Sequence, residues 1–257
     1  MRLRLNPSNP LPPGRIAWVW EHVSPAHTVL DYGCNDGKVL ARLRCADSSI
    51  LRVGVDVCDD AIQEGRKKYP HLTLRTIYPN EFSSLPFPEA AFDRVLLLDV
   101  IEHVEKQILL LKELRRVLKP DGVLIVTVPG KHFFSFLDKG NWKFYFPGIH
   151  RWWYTKKLGQ EAYQYRYGGG NPFGLVGDVE KGKGIHEHFS RDSLRRLLHS
   201  AGFAVEAFDG TGFFQRCIYL CNNVLPFPSL LRKLSQWDTK KFHVKNLFCI
   251  ARPTKQV

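Results

Sequence analysis

Residues 28–38 read TVLDYGCNDGK. A short β-branched run ends in an acid, and two glycines follow with Cys34, Asn35 and Asp36 between them. A strand ending at Asp31 or Tyr32, a glycine turn and a helix starting near Gly37 would set backbone N–H groups and a positive helix end around a pocket at the carboxyl edge of a sheet. Such a pocket takes a nucleotide-like ligand. The dinucleotide fingerprint places a third glycine where Lys38 stands, which disfavours a nicotinamide cofactor. An acid two residues before the first glycine suits a ligand that carries an ammonium group. Asn35 tolerates positive φ better than most residues, so it reads as a conformational substitute for a glycine in a tight turn.

The rest of the chain sets that loop in context. TVLDY, LRVGVDV, LTLRTI, FDRVLLLD and GVLIVTV are short apolar runs separated by segments that can be helical, an alternation that implies a parallel sheet over residues 28–129. EKQILLLKELRRVLKP is the clearest helix: Leu110, Leu114, Val117 and Leu118 share a face, and Pro120, Asp121 and Gly122 are expected to end it. A second helix follows Ser190 as N-cap and stops at Gly202. FAVEAF and NLFCIA read as two closing strands. The expected architecture is α/β, one domain over 1–257, with a core at 15–130 and 186–252. Two insertions interrupt it, an aromatic and basic lid at 131–185 and a second excursion at 212–244.

Composition narrows the class. A chain of 257 residues with 44% hydrophobic content can bury one full core. No apolar stretch is long enough for a membrane span and MRLRLNPSNPLPPG lacks a signal-peptide core, so a cytoplasmic protein is expected. Cys34, Cys45, Cys58, Cys217, Cys221 and Cys249 are scattered without paired zinc spacing, which fits reduced thiols and no metal centre. The net charge of +12 attracts anions: nucleic acid, acidic lipid or an acidic substrate.

Together, LDYGCNDG, the VGVDV strand, NEFSSLPFPEAAFDRV and DVIEHV resemble, in order and spacing, the class I S-adenosylmethionine-dependent methyltransferases. The resemblance covers residues 28–129 well and 186–252 more loosely. It implies a Rossmann-like, seven-stranded, mostly parallel sheet with helices on both faces, and S-adenosyl-L-methionine as cofactor. By the same resemblance Asp31, Gly33, Cys34, Asn35 and Gly37 form the first cofactor loop, and Asp56 with Val57 holds the ribose, since a carboxylate can accept from two hydroxyls at once. Glu81 would meet the adenine amino group with Phe82 against the ring, and Asp99 opens the segment beside the methionine moiety.

Methyl transfer to a hydroxyl needs alignment in a dry pocket and a base for the hydroxyl proton. His103 is the first candidate, then Glu102 and the cluster His186, Glu187 and His188. A His-x-His pair also suits metal, but no third ligand accompanies it by spacing. HRWWYTKK and SLLRKLSQW mix aromatic and basic residues as surfaces at lipid headgroups do, although a lid packed over the active site has the same composition. The expected acceptor is therefore a small-molecule, lipid-linked or glycan-like compound, with peripheral association at an anionic inner membrane face. RNA is the competing acceptor, and a cofactor-binding module without turnover is the reading from another class.

Overall fold

The computed structural model describes residues 15–23, 26, 28–43, 50–78, 84–131, 145–167, 187–212, 214, 230, 233–234, 236–238 and 246–254. Seven strands form one sheet: β1 (Thr28–Tyr32), β2 (Leu51–Asp56), β3 (Thr73–Thr76), β4 (Phe92–Leu98), β5 (Leu118–Pro129), β6 (Phe203–Thr211) and β7 (Asn246–Pro253). Their spatial order is β3-β2-β1-β4-β5-β7-β6. β7 alone runs antiparallel, to β5 on one side and β6 on the other, so β6 again points the same way as β5. The seven-stranded, mostly parallel sheet expected from the sequence is present. The chain winds from β1 to β2 and β3 in one direction and returns to β4 and β5 in the other. A topological switch point therefore opens at the carboxyl ends of β1 and β4, where doubly wound sheets bind ligands.

Strand alternation divides the interior into two layers. Leu30, Val95, Leu97, Leu124, Val126 and Val128 face one way, toward α4 (Gln107–Val117) and α7 (Arg191–Ser200), through Leu110, Leu114, Leu194 and Leu198. Val29, Leu96, Leu98, Val123 and Ile125 face the other, toward α1 (Arg15–Val23), α2 (Lys38–Arg42) and α3 (Asp59–Lys68), through Trp18, Val19, Leu40 and Ile62. Asp31 has the parity of Val29. In the β1–β2 register it lies opposite Gly54, two residues before Asp56 on the same face. Strand period alone therefore points both acids at one layer.

Two local readings are met in detail. Ser190 caps α7 through a reciprocal bond set with Ser193, and Gly202 follows that helix at φ 83°. One is corrected. Leu118 does not extend the apolar face of α4: the helix ends at Val117, and Leu118 pairs with Phe92 as the first residue of β5. Pro120, Asp121 and Gly122 then lie within β5 where its register against β4 shifts. The backbone resumes an extended path at once because Leu118 completes the core layer that Phe92 begins. The helix α1 had no sequence reading, and it closes one layer with Trp18, Val19 and Val23.

Inside the 131–185 segment, α5 (Pro147–Leu158) and α6 (Gln160–Tyr167) are described. No described helix is long and apolar enough to cross a membrane. Phe203 is fully buried at the start of β6 beneath α7, so Phe203→Ala is expected to lower unfolding free energy by about 3–5 kcal/mol, read from urea titration.

Candidate active site

The bend after β1 is built from residues that few substitutes could replace. Gly33 has φ 81° and its N–H donates to Val55 O at 2.8 Å; a Cβ on it would run into the Val100 side chain. Gly37 has φ 76° and caps α2. Asn35 between them sits at φ 51°, the left-handed region expected from its tolerance of that conformation. Cys34 is buried against Gly54, and burial with the nearby acids pushes its thiol far up, so the site holds no thiolate.

Three strand ends deliver acids to this bend. Asp31 is only 2% exposed, and its Oδ1 has no hydrogen-bond partner. Its pKa is pushed up to about 7, first by burial and next by the charge of Asp56, with Arg15 pulling it down. Asp56 accepts from the Asn35 N–H at 2.7 Å through Oδ2 and from the Cys58 N–H at 2.9 Å through Oδ1. Burial raises its pKa, and these backbone bonds oppose the rise. Each carboxylate oxygen has a second acceptor site beyond the backbone bond it makes, which leaves capacity for a diol. Asp99 follows β4 at φ 56°, accepts from the Thr127 hydroxyl at 2.8 Å, and forms an ion pair with Arg15. Burial lowers the pKa of Arg15, while Asp31 and Glu102 act to raise it.

The turn after β4, Ile101–His103, carries the first base candidate. His103 Nε2 lies 3.9 Å from Oε1 of Glu102, which is buried. Gln107, at the start of α4, donates through Nε2 to Ile101 O at 3.0 Å and to Glu187 Oε2 at 2.8 Å. Phe189 bridges to Gly130 just past β5, with Phe189 N donating to Pro129 O and Lys131 N to Phe189 O. His188, partly exposed, is held between these anchors.

The structure thus brings Asp31, Gly33, Cys34, Asn35, Gly37, Asp56, Val57 and Asp99 to one rim of the sheet, with His103, Glu187 and His188 on the side of β4 and β5. Glu81, Phe82 and His186 lie outside the described residues, as do Cys45, Cys217 and Cys221. Among the described residues no group of three His, Cys, Asp or Glu side chains is placed to hold a metal ion. Sequence reasoning missed Arg15 and Thr127, which fix Asp99 from 84 and 28 residues away and leave no local pattern.

A buried carboxylate oxygen with no partner, beside a second carboxylate able to accept from a diol, fits a cationic amino acid joined to a ribonucleoside. The comparisons agree. A family model described as a methyltransferase domain matches residues 3–207. The demethylmenaquinone methyltransferase of Symbiobacterium thermophilum is 30% identical over 191 residues, 71% of this chain and 70% of that protein. A protein of Mycobacterium tuberculosis described as a probable S-adenosylmethionine-dependent methyltransferase is 30% identical over 120 residues, 46% of this chain. The match spans only 42% of that relative's length. Among solved structures, a Pyrococcus horikoshii protein shares the fold at a TM-score of 0.54 and 18% identity, over 92% of this chain and 86% of that one. The chain belongs to the S-adenosylmethionine-dependent methyltransferase family.

The pKa of Asp31 sets a pH signature. The folded protein keeps this carboxyl protonated up to about 7, whereas the unfolded chain releases the proton near 3.8. Between those values the native state binds the extra proton, so this group makes the ligand-free fold less stable as pH rises, and the penalty is complete above about 7. Asp31→Asn removes it: in thermal unfolding the ligand-free variant should melt higher than the parent above neutrality. Calorimetric titration should show parental affinity for S-adenosylmethionine rising with pH through neutrality, and the variant losing that rise. Asp56→Ala is expected to weaken the same binding at least several-fold, the outcome that an acceptor for two ligand hydroxyls at this position predicts.

Proposed function

We propose that this chain transfers a methyl group from S-adenosyl-L-methionine to an oxygen of a small-molecule, lipid-linked or glycan-like acceptor. The observation that carries the reading is the buried, unpartnered Oδ1 of Asp31 beside the left-handed bend at Gly33, Asn35 and Gly37. In this reading Asp31 answers the ammonium group, Asp56 the ribose hydroxyls, and Asp99 with Arg15 borders the methionine moiety. Glu81 and Phe82 are assigned to the adenine on sequence resemblance alone. The bound cofactor supplies a methyl group already activated on a sulfonium.

What remains for the protein is alignment, exclusion of water and the acceptor proton. His103 is the proposed base: it stands in the turn directly after β4, beside the buried Glu102, whose carboxylate favours the protonated imidazole that forms when the proton is taken. Glu187 and His188 are assigned to positioning the acceptor, because Gln107 holds the Glu187 carboxylate and the Phe189 bridge fixes the backbone that follows beside that turn. The relative from Symbiobacterium, which this chain matches over 71% of its length, is named for a quinone-type acceptor, and that supports an apolar acceptor here.

His103→Ala should lower turnover by about 10²-fold or more while leaving the dissociation constant for S-adenosylmethionine within twofold, as loss of a general base predicts. The class of acceptor is tested by incubating the protein and a labelled methyl donor with pools of lipids, sugars, phenols and RNA and reading mass shifts. Label in RNA alone overturns the acceptor. Cofactor binding without label in any pool favours a binding module.

A further inference from the structure

The helix α5 leaves large apolar side chains exposed beside basic ones. Its inward side chains are His150, which is buried, and Tyr154: the two rings pack at 4.5 Å, and His150 Nδ1 lies 3.2 Å from the Tyr163 hydroxyl on α6. Its exposed side chains include the apolar Ile149, Trp152 and Trp153 and the basic Arg151, Lys156 and Lys157. Ile149, Trp152 and Trp153, with Lys156 next in the series, fall at i, i+3, i+4 and i+7 and share one face. Tyr145 and Phe146 lead into that face, and these five large side chains are between 42% and 61% exposed. Isolated exposed apolar residues are ordinary, but five within nine positions form a patch that marks an interaction surface.

Charge selects the occupant. The sequence PGIHRWWYTKKL carries Arg151, Lys156 and Lys157 and no acid, and the Lys156 ammonium lies 5.5 Å from the Trp152 ring centroid. A second exposed set, Leu230, Leu234 and Trp237, follows helical spacing with Lys233 among it. Trp237 is adjacent to Asp238, whose Oδ2 accepts from the Phe214 N–H at 2.9 Å and abuts Gly212 just past β6. Trp237 thus adjoins the carboxyl end of β6, on the same rim of the sheet as the carboxyl ends of β1, β2 and β4. Tryptophan and isoleucine bordered by lysine is what the headgroup and acyl boundary of an anionic bilayer accepts. A twofold contact between copies would set the Arg151, Lys156 and Lys157 cluster of one copy near that of the other. RNA offers stacking to tryptophan but no place for Ile149, Leu230 and Leu234.

We infer that the outward face of α5 is a docking surface for an anionic lipid bilayer. This surface lies on the helix itself and does not depend on the acceptor proposed above. The full-length protein should co-sediment with vesicles of phosphatidylcholine mixed with phosphatidylglycerol and much less with phosphatidylcholine alone. Lys156→Gln with Lys157→Gln should weaken binding to the anionic vesicles about tenfold or more, and added salt should do the same to the parent. Trp152→Ala with Trp153→Ala should weaken it about tenfold as well. Both double variants should keep parental S-adenosylmethionine affinity, so failure at the surface is distinguishable from failure of the cofactor site. Equal binding by parent and variants overturns the inference. So does a parent that sediments as a dimer without vesicles and becomes monomeric on Trp152→Ala with Trp153→Ala, or one that binds single-stranded RNA and not vesicles through the same residues.

Discussion

The arrangement turns on a carboxyl group held out of water at the end of β1. A charge in the position of Asp31 is unfavourable unless something cationic answers it, and desolvation is the largest influence on its proton. Every neighbouring feature bears on that imbalance. Asp56, two residues along the same face of the next strand, adds to the repulsion, and Arg15 from α1 opposes it while committed to Asp99. The backbone can close this tightly over the acid only because Gly33 carries no side chain to meet Val100. A cationic ligand converts a site that disfavours ionisation into one that requires it.

This arrangement was legible to the extent that it follows from local rules. The apolar runs of the sheet follow strand period, and Asn35 has a left-handed conformation that its residue type announces. Asp31 and Asp56 share a face because side chains alternate and the register aligns Asp31 with Gly54. Ser190 and Gly202 mark the ends of α7 because cap preferences act within a single turn. Leu118 shows where such rules stop. Its spacing suits the apolar face of α4 and its side chain suits the strand equally well, and only the pairing with Phe92 decides between them. Arg15 with Asp99 and Gln107 with Glu187 were hidden for the same reason: each pair is formed by tertiary folding across about a third of the chain, and neither residue has neighbours that foretell it.

The two halves of the site rest on supports of different kinds. On the cofactor side the side chains come from strand ends and the bends that follow them, where the ladder fixes the backbone on both flanks. On the side proposed for the acceptor they are tied by a few long-range bonds. Gln107 holds the Ile101–His103 turn and Glu187 with a single amide nitrogen, whose two hydrogens are matched to the two acceptors. The Phe189 bridge fixes the same segment to the end of β5. A fold that carries one cofactor can thus take different acceptors by changing what enters at residues 131–185 and 212–244 without disturbing the sheet.

That division bears on how an apolar acceptor would reach a site built around charge. In the proposed reading the acids need a dry surround, since water would relieve the desolvation that raises the pKa of Asp31. An acceptor arriving through bulk solvent must be stripped of its own hydration at the pocket mouth, whereas one arriving from a lipid surface has already left water behind. Leu230, Leu234 and Trp237 are exposed, and Trp237 adjoins Asp238, which is tied to the end of β6. The buried acids thus set one requirement on any route to the site, to keep water away from a charge that the ligand must match.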